Sequence, residues 1–507
     1  MTSPLHIVYV SSEMAPFART GGLGDVVGAL PKAVAAHGHD VRVIMPLYQT
    51  MQTRDAVLTL IIPELAVPTP TALHSAAVWQ ADLPTPKTAG PVRVYCIAHT
   101  PYFDRPNLYA DGGVDYPDNA ARFIFFCHAT LALLKHLRWT PFVVHCHDWQ
   151  TALLPALLRF LPSLTPGLRT AATIYTIHNL AYQGLFPVDV FPHTGLPDTL
   201  LQPEGVEFFG QVNFMKAGLL YADHLTTVSP TYAEEIATPQ NGVGLDGVLR
   251  VRRHVLSGIL NGVDYDIWNP AHDPALAAPY SINDLASKVT CKRALLRAYG
   301  LPEEVHTPLF GMVARLVDQK GLDIITAALP ALMQLPLRLV ILGAGESRYE
   351  TSLMAQAQRY PAQLGVQLGF HDTLAHQIEA GSDCFLMPSR YEPCGLNQLY
   401  SLRYGTIPLV HAVGGLRDTV QPFRPDTGEG TGFVFYEPSA AALLEVVQAA
   451  LAAYGDQQAW KRLMQNAMAR DFSWQQSAGH YLELYQRVIA MKQGVAVQQG
   501  GRSTPER

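Results

Sequence analysis

The feature that most constrains this chain is an alternation of strand-like and helix-like segments that occurs twice. The strand-like segments are short, rich in β-branched residues and almost continuously apolar, which is typical of parallel strands covered on both faces. They are His6–Val10, Val41–Met45, Val92–Ile97, Phe142–His145, Thr173–Ile177 and Leu225–Val228, then Leu309–Ala314, Leu337–Leu342, Cys384–Met387 and Ile407–His411. Helical segments such as Asp25–Ala36 and Ala120–His136 separate them. The sequence therefore predicts an α/β protein with two Rossmann-like, doubly wound domains facing a central cleft.

The chain has 507 residues, which is too long for one ordinary hydrophobic core. Turn-forming residues cluster in the segment Gly258–Asp264, which indicates a break between two domains. We expect an N-terminal domain over residues 1–255 and a C-terminal domain over 256–472. A last helix over 473–494, with Ser473 as its N-cap, and a polar, disordered tail over 495–507 complete the prediction.

Charge and composition exclude several classes of protein. A formal net charge of −6 argues against a general binder of nucleic acid or anionic membranes, because phosphate binding needs a basic field. No apolar run approaches the roughly 18 residues needed to cross a bilayer, and the first residues lack the pattern of a secretory signal. The six cysteines are scattered without a CxxC pair, which favours reduced thiols and a cytoplasmic protein.

A glycine-rich loop follows the first predicted strand and reads Arg19-Thr20-Gly21-Gly22-Leu23-Gly24-Asp25. Glycines let backbone N–H groups approach a ligand, and the helix that follows favours an anion at its N-terminus. A dinucleotide-binding site would need GxGxxG and an acid at the end of the second strand, whereas Asp40 precedes that strand. From these residues alone, the loop is either a tight turn or an anion site.

The same loop, from Arg19 to Val26, resembles the Lys-x-Gly-Gly-Leu-Gly-Asp signature of the bacterial glycogen synthase and plant starch synthase family. Further segments resemble that family in the same order along most of the chain. They are Tyr116–Phe123, His145–Trp149, Thr176–Gly184, Lys216–Tyr232, Asn261–Asp264, Arg315–Gly321, Ser389–Leu396 and Gly414–Leu416. Their co-occurrence in order is far more specific than any one motif.

The resemblance implies a GT-B fold and a retaining transferase in glycogen biosynthesis. The implied donor is ADP-glucose or UDP-glucose, the acceptor is an α-1,4-glucan, and neither a metal nor another cofactor is required. Two positions depart from the family pattern: Arg19 replaces the usual lysine, and Asn397 stands where many members have a hydroxyl. A guanidinium fork differs in geometry from an ammonium, although the charge is kept.

The resemblance also assigns roles to individual residues. Without a metal, fixed cations must neutralise the departing diphosphate. The implied catalytic residues are Glu392, His147, Lys320 and Arg315, and His147 is expected just past a strand end, beside the donor sugar. The implied donor-binding residues are Arg19, Gly21, Gly22, Asn261, Cys394, Gly395, Leu396 and Asn397, and those near the acceptor or the sugar cleft are Asp25 and Asp118.

Simpler interpretations of several residues remain open. Arg315 and Lys320 are alternatively solvated loop cations, and Glu392 a helix N-terminal acid. Asp118 is alternatively a structural ion-pair partner, and Asn261 a turn residue. His145 and His147 suggest metal ligands, but no third and fourth ligand is spaced to match.

Three other functions compete with the family interpretation. Another GT-B enzyme, such as a phosphorylase or a sucrose- or trehalose-type synthase, is one, but the chain shows no resemblance to the phosphorylase segments that bind pyridoxal phosphate. A catalytically inactive glucan-binding relative would be expected to lose Glu392, Lys320 or His147, and all three are present. A dinucleotide oxidoreductase is disfavoured by the position of Asp40.

Overall fold

The computed structural model describes residues 4–52, 57–85, 90–161 and 166–500. The chain divides into two compact units. Unit 1 comprises Met1–Val228, Ala233–Gly262 and Trp474–Arg507, and unit 2 comprises Ser229–Tyr232 and Val263–Ser473. The predicted boundary after residue 255 differs from this division because the strand Leu256–Gly258 belongs to the sheet of unit 1.

Unit 1 is built on a mixed sheet of nine strands within the described residues. In spatial order the strands are Leu256–Gly258, His224–Thr227, Ala172–Ile177, Val143–His147, His6–Val10, Asp40–Pro46, Val92–Ala98, Leu73–Leu83 and Thr59–Pro68. The first seven in this order are parallel, and the last two form an antiparallel hairpin at one edge. Two smaller sheets consist of Leu185–Pro187, Gln211–Asn213 and Glu207–Phe208, and of Ala110–Asp111 and Val114–Asp115.

Helices connect the parallel strands of unit 1. The α-helices that lie wholly within it are Gly22–Ala35, Gln49–Gln52, Thr100–Phe103, Asn119–His136, Leu153–Phe160, Phe214–Tyr221, Asp246–Val251 and Trp474–Gly500, and a further helix is Pro230–Glu235. Short 3-10 helices are Trp149–Thr151, Pro166–Leu168, Val188–Thr194, Asp198–Leu200 and Arg253–Val255.

Unit 2 is built on a parallel sheet of six strands within the described residues. Their spatial order is Leu364–Leu368, Arg338–Gly343, Leu309–Val313, Cys384–Met387, Ile407–His411 and Phe433–Phe435. The connecting helices are Lys288–Ala298, Leu322–Leu332, Ser347–Arg359, Asp372–Gly381, Asn397–Tyr404, Gly414–Thr419, Ala440–Tyr454 and Gln457–Met468, with a 3-10 helix at Asp318–Lys320. Leu339 and Ile341 enter one core cluster, whereas Val340 and Leu342 enter another, so both faces of the sheet are covered.

The predicted fold class is confirmed, and the predicted strands match the observed ones within about two residues at each end. Two details differ. Strand Val143–His147 continues to His147, which therefore ends the strand instead of following it. The hairpin Thr59–Pro68 and Leu73–Leu83 was not predicted, because its strands alternate between buried and exposed residues and lack a continuous apolar run.

The last helix begins at Trp474, directly after the predicted N-cap Ser473, and runs to Gly500 as part of unit 1. Its Tyr485 hydroxyl hydrogen-bonds the Tyr9 hydroxyl at 2.9 Å and His145 Nδ1 at 2.8 Å, both in the central strands. Residues 495–500 are therefore helical, although the sequence predicted a disordered tail from 495. The rest of that predicted tail, 501–507, lies outside the described residues.

Gly262 provides a test of how this helix is seated on unit 1. A Cβ at Gly262 would lie 2.6 Å from the backbone N and Cα of Trp474, a contact that backbone atoms cannot relieve easily. We expect Gly262→Ala to reduce the free energy of unfolding by about 1–3 kcal/mol, since overpacking forces the helix start to shift. Thermal unfolding measures it. Gly247→Ala is the matched control, because a Cβ at Gly247 meets nothing within 4 Å, and an equal loss in both variants would contradict this prediction.

Candidate active site

The sheet of unit 2 brings three predicted charged residues to one point. Its strand order reverses between the neighbouring strands Leu309–Val313 and Cys384–Met387. In open α/β sheets, ligands bind beyond the carboxyl ends of the strands at such a reversal. Arg315 and Lys320 follow the first of these strands, and Glu392 follows the second.

Lys320 and Glu392 form an ion pair at this strand end. Lys320 Nζ donates to Glu392 Oε2 at 2.5 Å, and the Ser389 hydroxyl donates to the same oxygen at 3.0 Å. Glu392 is buried and Lys320 is partly buried, so the pair is shielded from bulk water. Arg315 is exposed, and its Nη2 donates to Gln319 Oε1 at 2.7 Å.

Two glycines hold the backbone around Glu392. Gly415 N donates to the carbonyl oxygen of Glu392 at 3.1 Å. Gly414 has a φ of 43°, and a Cβ there would overlap that same carbonyl oxygen. The Gly414-Gly415-Leu416 segment is thus required by close backbone packing, which fixes the position from which the carboxylate projects.

The predicted donor-binding residues Cys394 to Asn397 lead into the helix Asn397–Tyr404. Cys394 is buried, and Gly395 has a φ of 72°, which favours glycine. The Asn397 amide donates to the carbonyl oxygen of Val313 at 2.6 Å. This amide therefore joins the start of the helix to the end of strand Leu309–Val313.

Unit 1 has its own strand-order reversal, between His6–Val10 and Val143–His147. The glycine loop follows the first strand. A Cβ at Gly21 or Gly22 would meet nothing within 4 Å, so packing against the described residues does not explain these glycines. Arg19 Nη1 and Asp25 Oδ1 lie 2.9 Å apart as an exposed ion pair. The pair joins a residue predicted to bind the sugar donor to one predicted near the acceptor glucan or the sugar cleft.

Glu13, which the sequence interpretation left unassigned, holds the glycine loop. Its buried carboxylate accepts hydrogen bonds from Thr20 N at 2.6 Å, the Thr20 hydroxyl at 2.7 Å and the Tyr109 hydroxyl at 2.8 Å. A cavity of about 440 Å³ lies beside this loop and is lined by Arg19, Thr20, Asn107 and Tyr109, among others.

His147 lies at the carboxyl end of its strand but is fully buried. Its Nδ1 lies 2.9 Å from His178 Nε2, so one of the two nitrogens donates to the other. Its Nε2 has no hydrogen-bond partner among the described residues. Burial and the neighbouring rings of His145 and His178 hold the pKa of His147 well below its usual value, so this imidazole is neutral.

His178 and Asp148 were missed as site residues, although both stand in segments that resemble the family. His178 directly follows strand Ala172–Ile177, which is the position that the strand-end rule singles out. Burial lowers the pKa of His178 to about 3. His178 N donates to Asp148 Oδ1 at 2.8 Å, and this bond joins the ends of two adjacent strands.

Asp148 combines an unusual backbone with an unusual acidity. Its φ is 54° and its ψ is −177°, a combination that a residue with a side chain rarely adopts. Burial raises the pKa of Asp148 to about 7, with the Glu13 charge adding to the effect and the hydrogen bonds from His178 N and Asn179 N opposing it. Backbone strain and a shifted pKa concentrate at functional sites, which makes Asp148 a candidate site residue.

The other two predicted residues of unit 1 have separate environments. Asp118 accepts two hydrogen bonds from Arg105, at 2.7 and 2.5 Å. Burial alone would raise the pKa of Asp118, but the hydrogen bonds and charge of Arg105 outweigh it and hold that pKa below its usual value. Asn261 is buried, and its Oδ1 has no hydrogen-bond partner among the described residues.

The described part of the chain contains neither a metal-binding cluster nor a membrane-spanning helix. No group of three or more His, Cys, Asp and Glu side chains is placed to hold a metal ion within 4–52, 57–85, 90–161 and 166–500. In the same ranges, no helix has the length and apolar character needed to span a membrane.

The raised pKa of Asp148 predicts a pH-dependent stability difference. A carboxyl whose folded-state pKa lies above its unfolded value destabilises the fold, and this effect grows as pH rises from about 4 to about 7. We expect Asp148→Asn to raise the free energy of unfolding at pH 8 by up to about 4 kcal/mol, and the gain to shrink towards pH 4. Asparagine also tolerates a positive φ. Urea titrations of both proteins across this range measure it, and a pH-independent difference would contradict the prediction.

Comparison with known proteins places the chain in a family. The family model described as "Starch synthase catalytic domain" matches residues 6–251, and the one described as "Glycosyl transferases group 1" matches residues 300–467. A glycogen synthase of Anaeromyxobacter dehalogenans is 48% identical over 95% of this chain and 99% of its own length. A protein named glycogen synthase 2 of Geobacter sulfurreducens is 46% identical over 97% of this chain and 100% of its own length.

Solved structures agree with this placement. The catalytic domain of starch synthase IV from Arabidopsis thaliana, bound to ADP and acarbose, has a TM-score of 0.88 and 34% identity, and the match covers 96% of this chain and 100% of that domain. Sucrose-phosphate synthase from Thermosynechococcus elongatus has a TM-score of 0.58 and 18% identity, and the match covers 96% of this chain and 99% of that one. At this identity the match supports the fold alone. The chain has the GT-B fold and belongs to the glycogen and starch synthase family of glucosyltransferases.

Proposed function

We propose that this chain transfers glucose from ADP-glucose to the non-reducing end of an α-1,4-glucan, with retention of configuration at the anomeric carbon. The bond between C1 of glucose and the diphosphate breaks, and a bond from C1 to the acceptor 4-hydroxyl forms. The hydroxyl proton is released and ADP departs. UDP-glucose is the alternative donor. The observation that carries the proposal is that charged residues matching the family motifs stand at the strand-order reversal of each unit.

Lys320 and Arg315 are the proposed stabilisers of the leaving diphosphate. Negative charge accumulates on the diphosphate as the glycosidic bond breaks, and a fixed cation there lowers the energy of the transition state more than that of the substrate. An ammonium group has three N–H donors, and Glu392 accepts from one of them. Gly21 and Gly22 add backbone N–H groups beside open space, next to the charge of Arg19.

Glu392 is the proposed carboxylate at the donor sugar. The transition state of glycosyl transfer carries positive charge on the sugar ring, which a carboxylate stabilises. Lys320 and Ser389 orient this carboxylate, and the Gly414-Gly415 turn fixes its backbone.

In unit 1, we assign the contact to the donor sugar to His147 and an orienting role to His178. The His147 Nδ1 is held by His178 Nε2, and the His147 Nε2 is buried without a hydrogen-bond partner among the described residues, which supports this division of roles. A neutral imidazole both donates and accepts hydrogen bonds, as sugar hydroxyls require. Asp148, which accepts from His178 N, is a further proposed contact to sugar hydroxyls.

The six buried thiols support the cytoplasm as the compartment.

The choice of donor and the stereochemistry have a direct test. The Arabidopsis enzyme that this chain resembles at 34% identity was solved with ADP, which favours ADP-glucose. Initial rates with ADP-glucose and UDP-glucose on glycogen compare the donors, and NMR of the linkage formed on maltoheptaose identifies the anomer. Faster transfer from UDP-glucose would overturn the donor assignment, and a β-linked product would overturn retention.

Lys320 gives a quantitative prediction. Removing a comparable electrostatic donor costs roughly 2.7–4 kcal/mol of transition-state stabilisation, or about 10²–10³ in kcat. We expect this loss for Lys320→Ala and Lys320→Gln, and a smaller one for Lys320→Arg, which keeps the charge. Lys320→Gln removes the positive charge but retains an N–H donor for Glu392, so a loss of kcat in this variant is attributable to the missing charge. Arg297→Ala, which removes an exposed cation of unit 2 that pairs with Glu303, is the control. A Lys320→Gln enzyme within about threefold of wild-type kcat would exclude the leaving-group role.

The proposed mechanism also predicts metal independence, since Lys320 and Arg315 supply the cations that a metal would otherwise provide. Transfer rates should be unchanged in excess EDTA. Loss of activity that Mg²⁺ or Mn²⁺ restores would refute this part of the mechanism.

A further inference from the structure

Two exposed loops of unit 1 repeat one unusual feature. Each consists of a hydrophobic residue followed by glycine, with a positive φ at both positions. Phe209 and Gly210 have φ values of 50° and 80°, and Val243 and Gly244 have values of 46° and 80°. Phe209 is 84% exposed and Val243 is 51% exposed. A positive φ at a β-branched or bulky residue is strained, so the local backbone does not explain these side chains.

The loop at Phe209 shows the conflict most clearly. Glu207 pairs with Val212 and Phe208 with Gln211, so Phe209-Gly210 is a two-residue hairpin loop. Hairpin loops with positive φ at both central residues strongly favour Asn-Gly or Asp-Gly. Gly210 N donates to Glu207 Oε1 at 2.7 Å, which fixes the turn. A phenylalanine at the first position sacrifices turn stability and gains no burial, which is the pattern expected of a ligand contact.

The two loops pack together into one surface. A Cβ at Gly244 would lie 2.8 Å from Phe208 Cζ and 3.4 Å from Phe209 Cε2, so the glycine seats both rings. Gln183 Nε2 donates to the carbonyl oxygen of Val243 at 3.0 Å and fixes the second loop. We call Phe208, Phe209 and Val243 the Phe209–Val243 surface.

This surface is connected to the candidate site through buried contacts. Gln183 is followed by Gly184, where a Cβ would lie 2.5 Å from the Trp149 ring. Trp149 itself follows Asp148 in the chain. Gln183 also accepts a hydrogen bond from Asn213 Nδ2 at 2.7 Å, and Asn213 ends the strand that follows the Phe209 hairpin loop. The candidate site and the Phe209 hairpin are therefore both held by Gln183 and its neighbours.

Resting on the proposed function, we propose that the Phe209–Val243 surface binds the acceptor glucan at glucose units beyond the reacting end. A glucose ring presents an apolar face of C–H groups, and aromatic rings supply large, rigid contact area to such faces. Exposed apolar patches mark interaction sites, but three side chains fall well short of the roughly 800 Å² per partner of a stable protein interface. The surface side chains are also uncharged, which suits a neutral polymer.

The decisive variant is Phe209→Asn, which removes the ring and creates the preferred Asn-Gly turn. It should melt at the same temperature as the wild type or higher, while the Kd for maltoheptaose and the KM for glycogen rise roughly five- to tenfold. The KM for the nucleotide sugar should not change. Phe209→Tyr should bind like the wild type, because the ring is retained. Leu73→Asn, at an exposed leucine elsewhere in unit 1, is the matched control.

The outcomes separate this proposal from its alternatives. Unchanged glucan affinity in Phe209→Asn would overturn it, as would a lower melting temperature, since the strain argument would then fail. Conversion of a wild-type dimer into a monomer without loss of glucan affinity would assign the surface to a second copy of the chain. Weakened maltoheptaose binding in a protein without transferase activity would sustain the proposal while refuting the proposed function.

Discussion

Parallel strand pairing is the constraint on which the rest of this structure depends. Because neighbouring strands run in one direction, each connection returns over a face of the sheet, and the carboxyl ends gather at one edge. Residues distant in sequence meet there. Lys320 and Glu392 are 72 positions apart and form an ion pair, and His147 and His178 are 31 apart and share a hydrogen bond. Each pair belongs to adjacent strands, or to the strands at a reversal of strand order.

Each of these clusters has a supporting layer. In unit 2 the support is backbone: glycines 414 and 415 lie against the Glu392 segment more closely than any side chain permits. In unit 1 the support is a network of side chains. Glu13 joins the glycine loop to Tyr109, and His145 joins the central strands to Tyr485. Groups placed by such supports need little reorganisation when charge develops on a substrate.

The sequence predicted the parallel cores well and the exposed or indirect features poorly. Strands such as Cys384–Met387 were found because burial on both faces leaves an uninterrupted apolar run. The hairpin Thr59–Pro68 and Leu73–Leu83 was missed because one-sided burial spreads the same signal over alternate residues. Lys320 and Glu392 were predicted together from motifs. The strain at Asp148 and the burial of His147 depend on tertiary contacts that no local pattern encodes. The ion pair of Arg19 with Asp25 depends on the conformation of the glycine loop between them.

The position of the last helix has a consequence for synthesis. Tyr485 covers Tyr9 and His145 in the central strands of unit 1, yet it lies more than 200 residues after the last strand of that sheet. During translation, the strands of the unit 1 sheet are synthesised first, and the last helix of unit 1 is synthesised only after unit 2. Until the helix arrives, the hydroxyl of Tyr9 and a ring nitrogen of His145 lack their native partner. Unit 1 is thus the first to begin folding and the last to finish, and a ribosome that stalls within unit 2 leaves its centre uncovered.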